Sequence, residues 1–347
     1  MARAPLSESD LVVFGDAAAG HDGVLSDASG SVVVKPCTAT EIAFYESAAM
    51  HPAFAAYMPT YMGTLKLSSS GTVDETATAA AAAAASQPAG SATASGTASA
   101  LSPDDPGPLR GKKLETGLSI VLENIASPFK KPNILDVKLG AQLWDDSASL
   151  QKRERLDKVA AETTSKSLGF RMAGMKVWQG AGEQKDPLVD ATGYRVYNKF
   201  YGRKFSADSV IEGFREFLFV PAAGIDDDLG RTMVNILLKQ VEGIQKVLEA
   251  EEIRMYSASI LFVYEGDGEA LRRALEEEKS RTSGTAQPDE GDRGGDDDEG
   301  EGDVAKAYAV KLIDFAHATW TPGLGSDENA LQGVRSTAKI LGDLARM

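Results

Sequence analysis

The segment from Pro132 to Gly140 limits the folds open to this chain more than any other stretch. It reads Pro-Asn-Ile-Leu-Asp-Val-Lys-Leu-Gly, an apolar run that carries one acid and one base and ends at a glycine. The apolar residues predict a β-strand, and Asp136 and Lys138, two positions apart, then lie on one face of it. An acid beside a base suits proton transfer and charge neutralisation. The same spacing suits a surface ion pair on an edge strand, and spacing alone leaves both interpretations open.

A second acid ends an apolar segment near the C-terminus, where residues 310–318 read Val-Lys-Leu-Ile-Asp-Phe-Ala-His-Ala. An aspartate at a strand end, followed by phenylalanine, is the setting of the metal-binding aspartate in protein kinases. Asp314 is therefore a candidate metal ligand, although acids at strand ends are also common without such a role.

These motifs resemble a known family. The spacing of Pro132, Asp136, Lys138 and Gly140 matches the P-x-x-x-D-x-K-x-G signature of the inositol polyphosphate kinases. The Asp-Phe-Ala-His run that begins at Asp314 is similar to the family's form of the metal-binding element. A Tyr-Gly-Arg core within residues 197–204 and the block at residues 256–265 follow in the family's order.

The resemblance implies a fold class and a division of the chain. We expect an α+β, two-lobed fold, like the protein kinases and ATP-grasp proteins, with antiparallel sheets flanked by helices and a small helical substrate-binding insert. The N-lobe is expected in residues 1–125 and the C-lobe in residues 126–347. A helix that binds inositol phosphate is expected at about residues 149–168.

Two segments contain too few large apolar side chains to form a hydrophobic core. Residues 68–108 consist mainly of Ala, Ser, Thr, Gly and Pro, and residues 289–303 hold nine acidic side chains against one Arg. Such compositions bury too little apolar surface to offset the entropy of ordering, so we predict a disordered N-lobe insertion at about 68–108 and a disordered acidic loop at about 281–303. The net charge of −15 disfavours a polyanionic ligand at first sight, but about half of the excess belongs to the acidic segment. Basic residues elsewhere can still cluster.

Other totals exclude whole classes of protein. Cys37 is the single cysteine, so an intrachain disulfide is excluded and a reducing compartment is favoured. The chain shows no signal peptide and no run of 18 apolar residues, so we expect no membrane span. We further expect a monomer in the nucleus and cytoplasm that does not bind nucleic acid directly. Transcription factors are expected partners of the acidic loop.

The nucleotide side of the site is predicted from five residues. Lys35 ends the β-branched run at residues 31–35 and is positioned to reach nucleotide phosphates, the alternative being a solvated strand-end lysine. Glu41 is its expected ion-pair partner on the following helix, with Glu46 as the alternative. The resemblance places Glu123 and Ile125 at the hinge that contacts adenine and ribose, and Asp314 at the metal.

The substrate side is predicted from basic residues in three places. A helix from about residue 149 carries four of them, which suits a multiply phosphorylated ring but also suits a solvated helix with internal ion pairs. The resemblance favours the first interpretation and adds two residues around the Tyr-Gly-Arg core and one histidine. The candidate substrate contacts are Lys152, Arg153, Arg155, Lys158, Lys199, Arg203 and His317.

The resemblance implies that these residues carry out ATP-dependent phosphoryl transfer to a hydroxyl group of an inositol polyphosphate, with ATP and Mg²⁺ as cofactors. Asp136 would orient or deprotonate the hydroxyl, Lys138 would stabilise charge on the transferred group, and Asp314, with Asp136, would bind metal. The short span from Gly140 to Arg171 leaves room for one substrate helix, which favours a multikinase that converts trisphosphates and tetrakisphosphates towards the pentakisphosphate. A hexakisphosphate kinase and a mainly non-catalytic, transcription-linked scaffold are the alternatives.

Overall fold

The structure, a computed structural model, describes residues 11–15, 23–66, 117–182, 186–284 and 305–347. The predicted insertion at about 68–108 lies outside the described residues, as does the predicted acidic loop from residue 285 onward. No helix among the described residues is both long and apolar enough to cross a membrane.

The first sheet contains five antiparallel strands in the order β1-β2-β3-β5-β4. These strands are β1 (Leu11–Val13), β2 (Leu25–Asp27), β3 (Val32–Pro36), β4 (Tyr61–Lys66) and β5 (Leu118–Glu123). The alternating burial of β3 puts Val32 and Val34 into the core on one face, as its β-branched sequence predicts. Lys35 of β3 pairs with Ile120 of β5, the strand that ends at Glu123.

A second five-stranded antiparallel sheet has the order β11-β10-β6-β7-β8, and a two-stranded sheet joins β9 and β12. The strands are β6 (Pro132–Leu139), β7 (Phe170–Trp178), β8 (Tyr194–Tyr197), β9 (Ile253–Met255), β10 (Ser259–Glu265), β11 (Tyr308–Ile313) and β12 (Ala318–Trp320). The strand β6, which contains the Asp136–Lys138 pair, is the middle strand of its sheet. The interpretation of that pair as an ion pair on an edge strand is therefore wrong.

Nine α-helices flank these sheets in the described part of the chain. They are α1 (Ala39–Ser47), α2 (Pro52–Ala55), α3 (Leu150–Ala161), α4 (Thr164–Leu168), α5 (Lys199–Gly202), α6 (Val210–Leu218), α7 (Asp227–Ala250), α8 (Gly268–Gly284) and α9 (Glu328–Ala345).

Two helix predictions need correction. The single helix expected at about residues 149–168 is two helices, because Thr163 ends the continuity and caps α4 through a hydrogen bond from the Ser165 N–H group. The helix α8 continues to Gly284, so the polar segment expected from residue 281 begins later. Elsewhere the caps follow the sequence, since Thr38 accepts from the Glu41 N–H group at the start of α1.

The two large sheets are joined through an aromatic cluster. Phe44 of α1 packs against Phe54, Phe315 and Trp320, with ring centroids 5.9, 5.0 and 5.0 Å away. Backbone bonds continue this contact, because the Leu312 N–H group donates to the Tyr57 carbonyl oxygen at 2.7 Å. The helices after β3 thus pack on the end of β11, which brings Lys35 and Asp314 to the same cleft. The predicted boundary between residues 125 and 126 stays a prediction.

Candidate active site

The centre of the cleft is an ion cluster around Asp314, which follows β11. Its backbone lies in the left-handed region, at φ 68°, an uncommon conformation that turns the chain sharply after the strand. One carboxylate oxygen, Oδ1, is 2.8 Å from Lys35 Nζ, and the other, Oδ2, is 3.5 Å from Lys138 Nζ. The three strands β3, β6 and β11 therefore contribute one charged side chain each to a single point.

Lys35 is held between two carboxylates. Its Nζ atom is 3.1 Å from Glu41 Oε1 as well as 2.8 Å from Asp314, and Glu41 is 1% exposed. Burial by itself lowers the pKa of Lys35, but the charges of Asp314 and Glu41 outweigh burial and raise that pKa above its ordinary value. Lys35 is therefore a permanent cation. The predicted pairing with Glu41, rather than Glu46, is the one that the geometry contains.

Asp136 and Lys138 face the same cleft from β6. Asp136 is 3% exposed and lines the cavity that also contains Lys35 and Asp314. A β-bulge between β6 and β7 falls directly after Asp136, and such bulges re-aim side chains next to active sites. Lys138 Nζ donates to the Ser257 carbonyl oxygen at 2.7 Å and lies 3.5 Å from Asp314 Oδ2, so its ammonium is anchored beside Asp314.

Gly140 ends β6 in a conformation that only glycine adopts readily, at φ +96°. The Asn329 side chain occupies the space where a Cβ atom would lie, and its Oδ1 atom accepts from the Ala141 and Gln142 N–H groups. The glycine of the signature thus allows the start of α9 to pack against the end of β6.

An apolar cavity adjoins the ion cluster on the side of the first sheet. Its walls are aliphatic side chains from both sheets, and its rim is the segment from Glu123 to Ala126, including Ile125. Glu123 Oε2 accepts from the Thr60 hydroxyl at 2.8 Å, which fixes the carboxylate at the rim. The cavity lining consists of Phe14, Val24, Val33, Lys35, Tyr45, Pro59, Leu122, Glu123, Asn124, Ile125, Ala126, Ile134, Asp136, Leu261, Val263, Ile313 and Asp314. An apolar slot that leads to a lysine and an acid has the chemistry to hold a flat base at one end and phosphates at the other.

The four basic residues predicted on the substrate helix occupy different environments. Arg153 donates to the carbonyl oxygens of Asp146 and Ala148 and stacks over the Trp144 ring, so it fastens the start of α3. Lys158 is exposed and lies 3.8 Å from Glu162. Lys152 is half-buried and Arg155 is exposed. Their roles as substrate contacts stay predictions.

The remaining predicted substrate contacts, Lys199, Arg203 and His317, interact with neighbouring side chains. Lys199 and Arg203 both lie over the Phe200 ring, with 5.6 Å between each charged group and the ring centroid. His317 Nδ1 is 2.5 Å from Asp145 Oδ2, so this carboxylate orients the imidazole. Asp145 is not among the residues predicted from the sequence, because a contact with His317 across 172 positions leaves no local signal in it.

Two further groups belong to the cleft by position. Ser259 is fully buried, pairs with Lys138 across the sheet, and its hydroxyl has no hydrogen-bond partner among the described residues. Arg171 pairs with Lys138 from the other side.

The residues present fit a divalent cation that is bound together with a nucleotide. Among the described residues no group of three or more His, Cys, Asp or Glu side chains forms a metal site. Mg²⁺ and similar cations commonly use one or two carboxylates and complete their shell with waters and substrate phosphates. The Asp314 carboxylate, the neighbouring Asp136 and the buried Ser259 hydroxyl supply oxygen ligands of that kind.

A two-lobed α+β fold with a lysine, a strand-end aspartate and an apolar base pocket defines a kinase. Comparison with known proteins gives the family: residues 119–342 match the sequence model described as inositol polyphosphate kinase. The chain belongs to this family, as its motifs predicted.

Individual members of the family are similar to this chain over most of its length. The chain is 33% identical to the inositol polyphosphate multikinase of Saccharomyces cerevisiae, over 93% of this chain and 95% of the relative. It is 28% identical to the inositol polyphosphate multikinase of Schizosaccharomyces pombe, over 94% of this chain and 95% of the relative. The crystal structure of the inositol phosphate multikinase Ipk2 from Saccharomyces cerevisiae, in complex with ADP and Mn²⁺, superposes with a TM-score of 0.62 and 30% identity, covering 90% of this chain and 99% of that one. The predicted fold class is thereby confirmed.

Proposed function

We propose that this kinase is an inositol polyphosphate multikinase, which uses ATP to phosphorylate hydroxyl groups of inositol trisphosphate and tetrakisphosphate towards the pentakisphosphate. The observation that carries the proposal is the convergence of Lys35, Asp136, Lys138 and Asp314 at the end of an apolar base pocket. The two yeast multikinases each match over 95% of their own length. The inositol hexakisphosphate kinase 3 of Mus musculus, at 30% identity, matches only 65% of this chain and 50% of its own length.

The residues of the cleft divide the work of phosphoryl transfer. Lys35, a permanent cation locked by Glu41, offers its charge to the nucleotide phosphates. Asp136 is buried in the cleft and accepts a hydrogen bond from the attacking hydroxyl, orients it and takes its proton. Lys138, anchored by the Ser257 carbonyl, stabilises the negative charge on the group in transfer.

We propose Mg²⁺ as the cation, held by Asp314 with the nucleotide phosphates and with Asp136 and Ser259 nearby. When bound, this cation neutralises phosphate charge that the protein's lysines alone leave uncompensated. Chelation by EDTA should abolish turnover, and Mg²⁺ added back should restore it; turnover that survives complete chelation would contradict this assignment.

The central test is a product assay with Mg-ATP and a series of inositol phosphates, read by chromatography or NMR. Wild-type protein should phosphorylate trisphosphate and tetrakisphosphate acceptors. Asp136→Asn should lower kcat by about 10³-fold, since it removes the proton acceptor but keeps the size of the side chain. Asp343→Asn, on the exposed end of α9, is the matched control and should keep full activity. Activity of Asp136→Asn close to wild type would overturn the proposal.

The sequence leads to further proposals about the cell. We propose a monomer that acts in the nucleus and cytoplasm, with transcription factors as partners of the acidic segment at residues 289–303. Sedimentation tests whether the protein is a monomer, and a fluorescent fusion tests whether it is present in the nucleus and cytoplasm. Deletion of residues 289–303 should leave catalysis intact and weaken partner binding; loss of catalysis would contradict the division of roles.

A further inference from the structure

Arg171 occupies a position in the cleft that neither the base pocket nor the ion cluster accounts for. It lies on β7, directly opposite Lys138 on β6, and directly paired residues of neighbouring strands place their side chains on the same face. Because Lys138 reaches Asp314 from that face, the Arg171 side chain starts on the cleft side of the sheet.

The guanidinium is fixed by a short helix. Arg171 Nη1 donates to the Ser165 hydroxyl at 3.1 Å, and Ser165, on α4, is fully buried. The break between α3 and α4 therefore places Ser165 of α4 within hydrogen-bond distance of Arg171 on β7. The planar guanidinium keeps donors on its other nitrogens for an oxyanion.

The charges around Arg171 are mostly of its own sign. Burial and the positive charge of Arg203 outweigh the Asp136 carboxylate and together lower the pKa of Arg171 to about 10. Lys138 is its cross-strand neighbour, and like charges directly opposite each other destabilise a sheet. Arg203 and Lys138 therefore add positive charge near Arg171, while the buried Asp136 carboxylate supplies opposing charge and Lys138 is itself paired with Asp314.

We propose that Arg171, held by Ser165, binds a phosphate group of the acceptor next to the hydroxyl that reacts, with Arg203 on the outer side of the same phosphate. This inference rests on the proposed function and deepens it, since it assigns an acceptor-recognition residue. An arginine fork matches two phosphate oxygens, which a lysine does not. A phosphate at this place also offsets the repulsion between Arg171 and Arg203.

The test compares Arg171→Gln with wild type in steady-state kinetics, with acceptor and ATP varied separately. The KM for the acceptor should rise about 10- to 100-fold, the range set by loss of a charge-assisted pair, while the KM for ATP stays unchanged. Arg171→Lys should recover only part of the loss. Arg195→Gln, on the neighbouring strand β8 and paired with Asp186, is the matched control and should leave both KM values at the wild-type level.

The same data separate recognition from an effect on Asp136. A fall in kcat with an unchanged KM for the acceptor would mean that Arg171 acts through the Asp136 carboxylate, and the proposal would be wrong. If Arg171→Gln fails to fold, Ser165→Ala serves in its place, because it releases the guanidinium without removing it. That variant should raise the acceptor KM several-fold, and an unchanged KM would contradict the inference.

Direct binding keeps this test independent of turnover. Isothermal titration of wild type and Arg171→Gln with inositol hexakisphosphate should show binding by the wild type that is weakened at least tenfold in the variant. Equal affinities would overturn the role of Arg171, whatever the enzyme phosphorylates. Weakened affinity without turnover of any inositol phosphate would instead keep the binding site and reject the multikinase proposal.

Discussion

Glu41 should matter for catalysis even though it lies on the other side of Lys35 from Asp314. In the structure Lys35 is shared between Glu41 at 3.1 Å and Asp314 at 2.8 Å. Replacing Glu41 by Gln removes one of the two opposing charges but keeps an oxygen acceptor in place. We expect the ammonium to move towards Asp314, where it competes with the cation and is displaced from the nucleotide phosphates.

The magnitude follows from the distances. Two unit charges 3.1 Å apart attract each other by about 5 kcal/mol at an effective dielectric constant of about 20. Most of this is offset by the cost of desolvating both groups, so the net loss is about 1.5–3 kcal/mol, as for other hydrogen bonds to charged groups. We expect Glu41→Gln to lower the free energy of unfolding by this amount and to raise the KM for ATP at least tenfold.

The assay is urea denaturation together with kinetics at saturating acceptor. Glu46→Gln is the control, since Glu46 lies on the same helix, is exposed and was the alternative partner in the sequence. Its unfolding free energy should change by less than about 0.5 kcal/mol and its KM for ATP should stay the same. Equal behaviour of the two variants would refute the argument that Glu41 positions Lys35.

Three further outcomes are expected. Gly202→Ala should destabilise the fold by about 3 kcal/mol in thermal or urea unfolding, because a Cβ atom there overlaps the Met172 carbonyl oxygen; a loss under about 1 kcal/mol would mean that α5 shifts freely. Trp320→Phe should lower the free energy of unfolding by about 1 kcal/mol, since it removes the 2.9 Å hydrogen bond from Trp320 Nε1 to the Ser47 hydroxyl that joins β12 to α1. An unchanged midpoint of urea unfolding would show that this hydrogen bond does not stabilise the fold. Burial raises the pKa of Asp145, but hydrogen bonds from Ser147 and the charge of His317 outweigh it and hold that pKa below 3.8. The ionised Asp145 carboxylate therefore contributes fully to the free energy of unfolding above pH 3.8, and this contribution is lost as the pH falls through the lower pKa of the folded state. Asp145→Asn should accordingly reduce the loss of stability at acid pH, measured as the free energy of unfolding against pH. The same acid dependence in the variant and the wild type would contradict this.

The sequence alone was sufficient where a motif is local. The β-branched run before Lys35, the apolar run through Asp136 and the strand that ends at Asp314 each predicted a strand in the right place. Side-chain alternation then placed Asp136 and Lys138 on one face, because the period of a strand is two residues. The order of these motifs was enough to predict the family, which the comparisons confirm.

Only the tertiary structure decided which charged groups meet. Lys138 pairs with Asp314, which lies 176 positions away in the sequence, where a β-bulge follows Asp136 and the backbone turns through the left-handed region at Asp314. The contacts of Arg171 with Ser165 and of His317 with Asp145 join elements that no periodicity relates. Local patterns determine secondary structure, since they act between near neighbours, whereas the cleft is made by strand order and helix packing between distant parts of the chain.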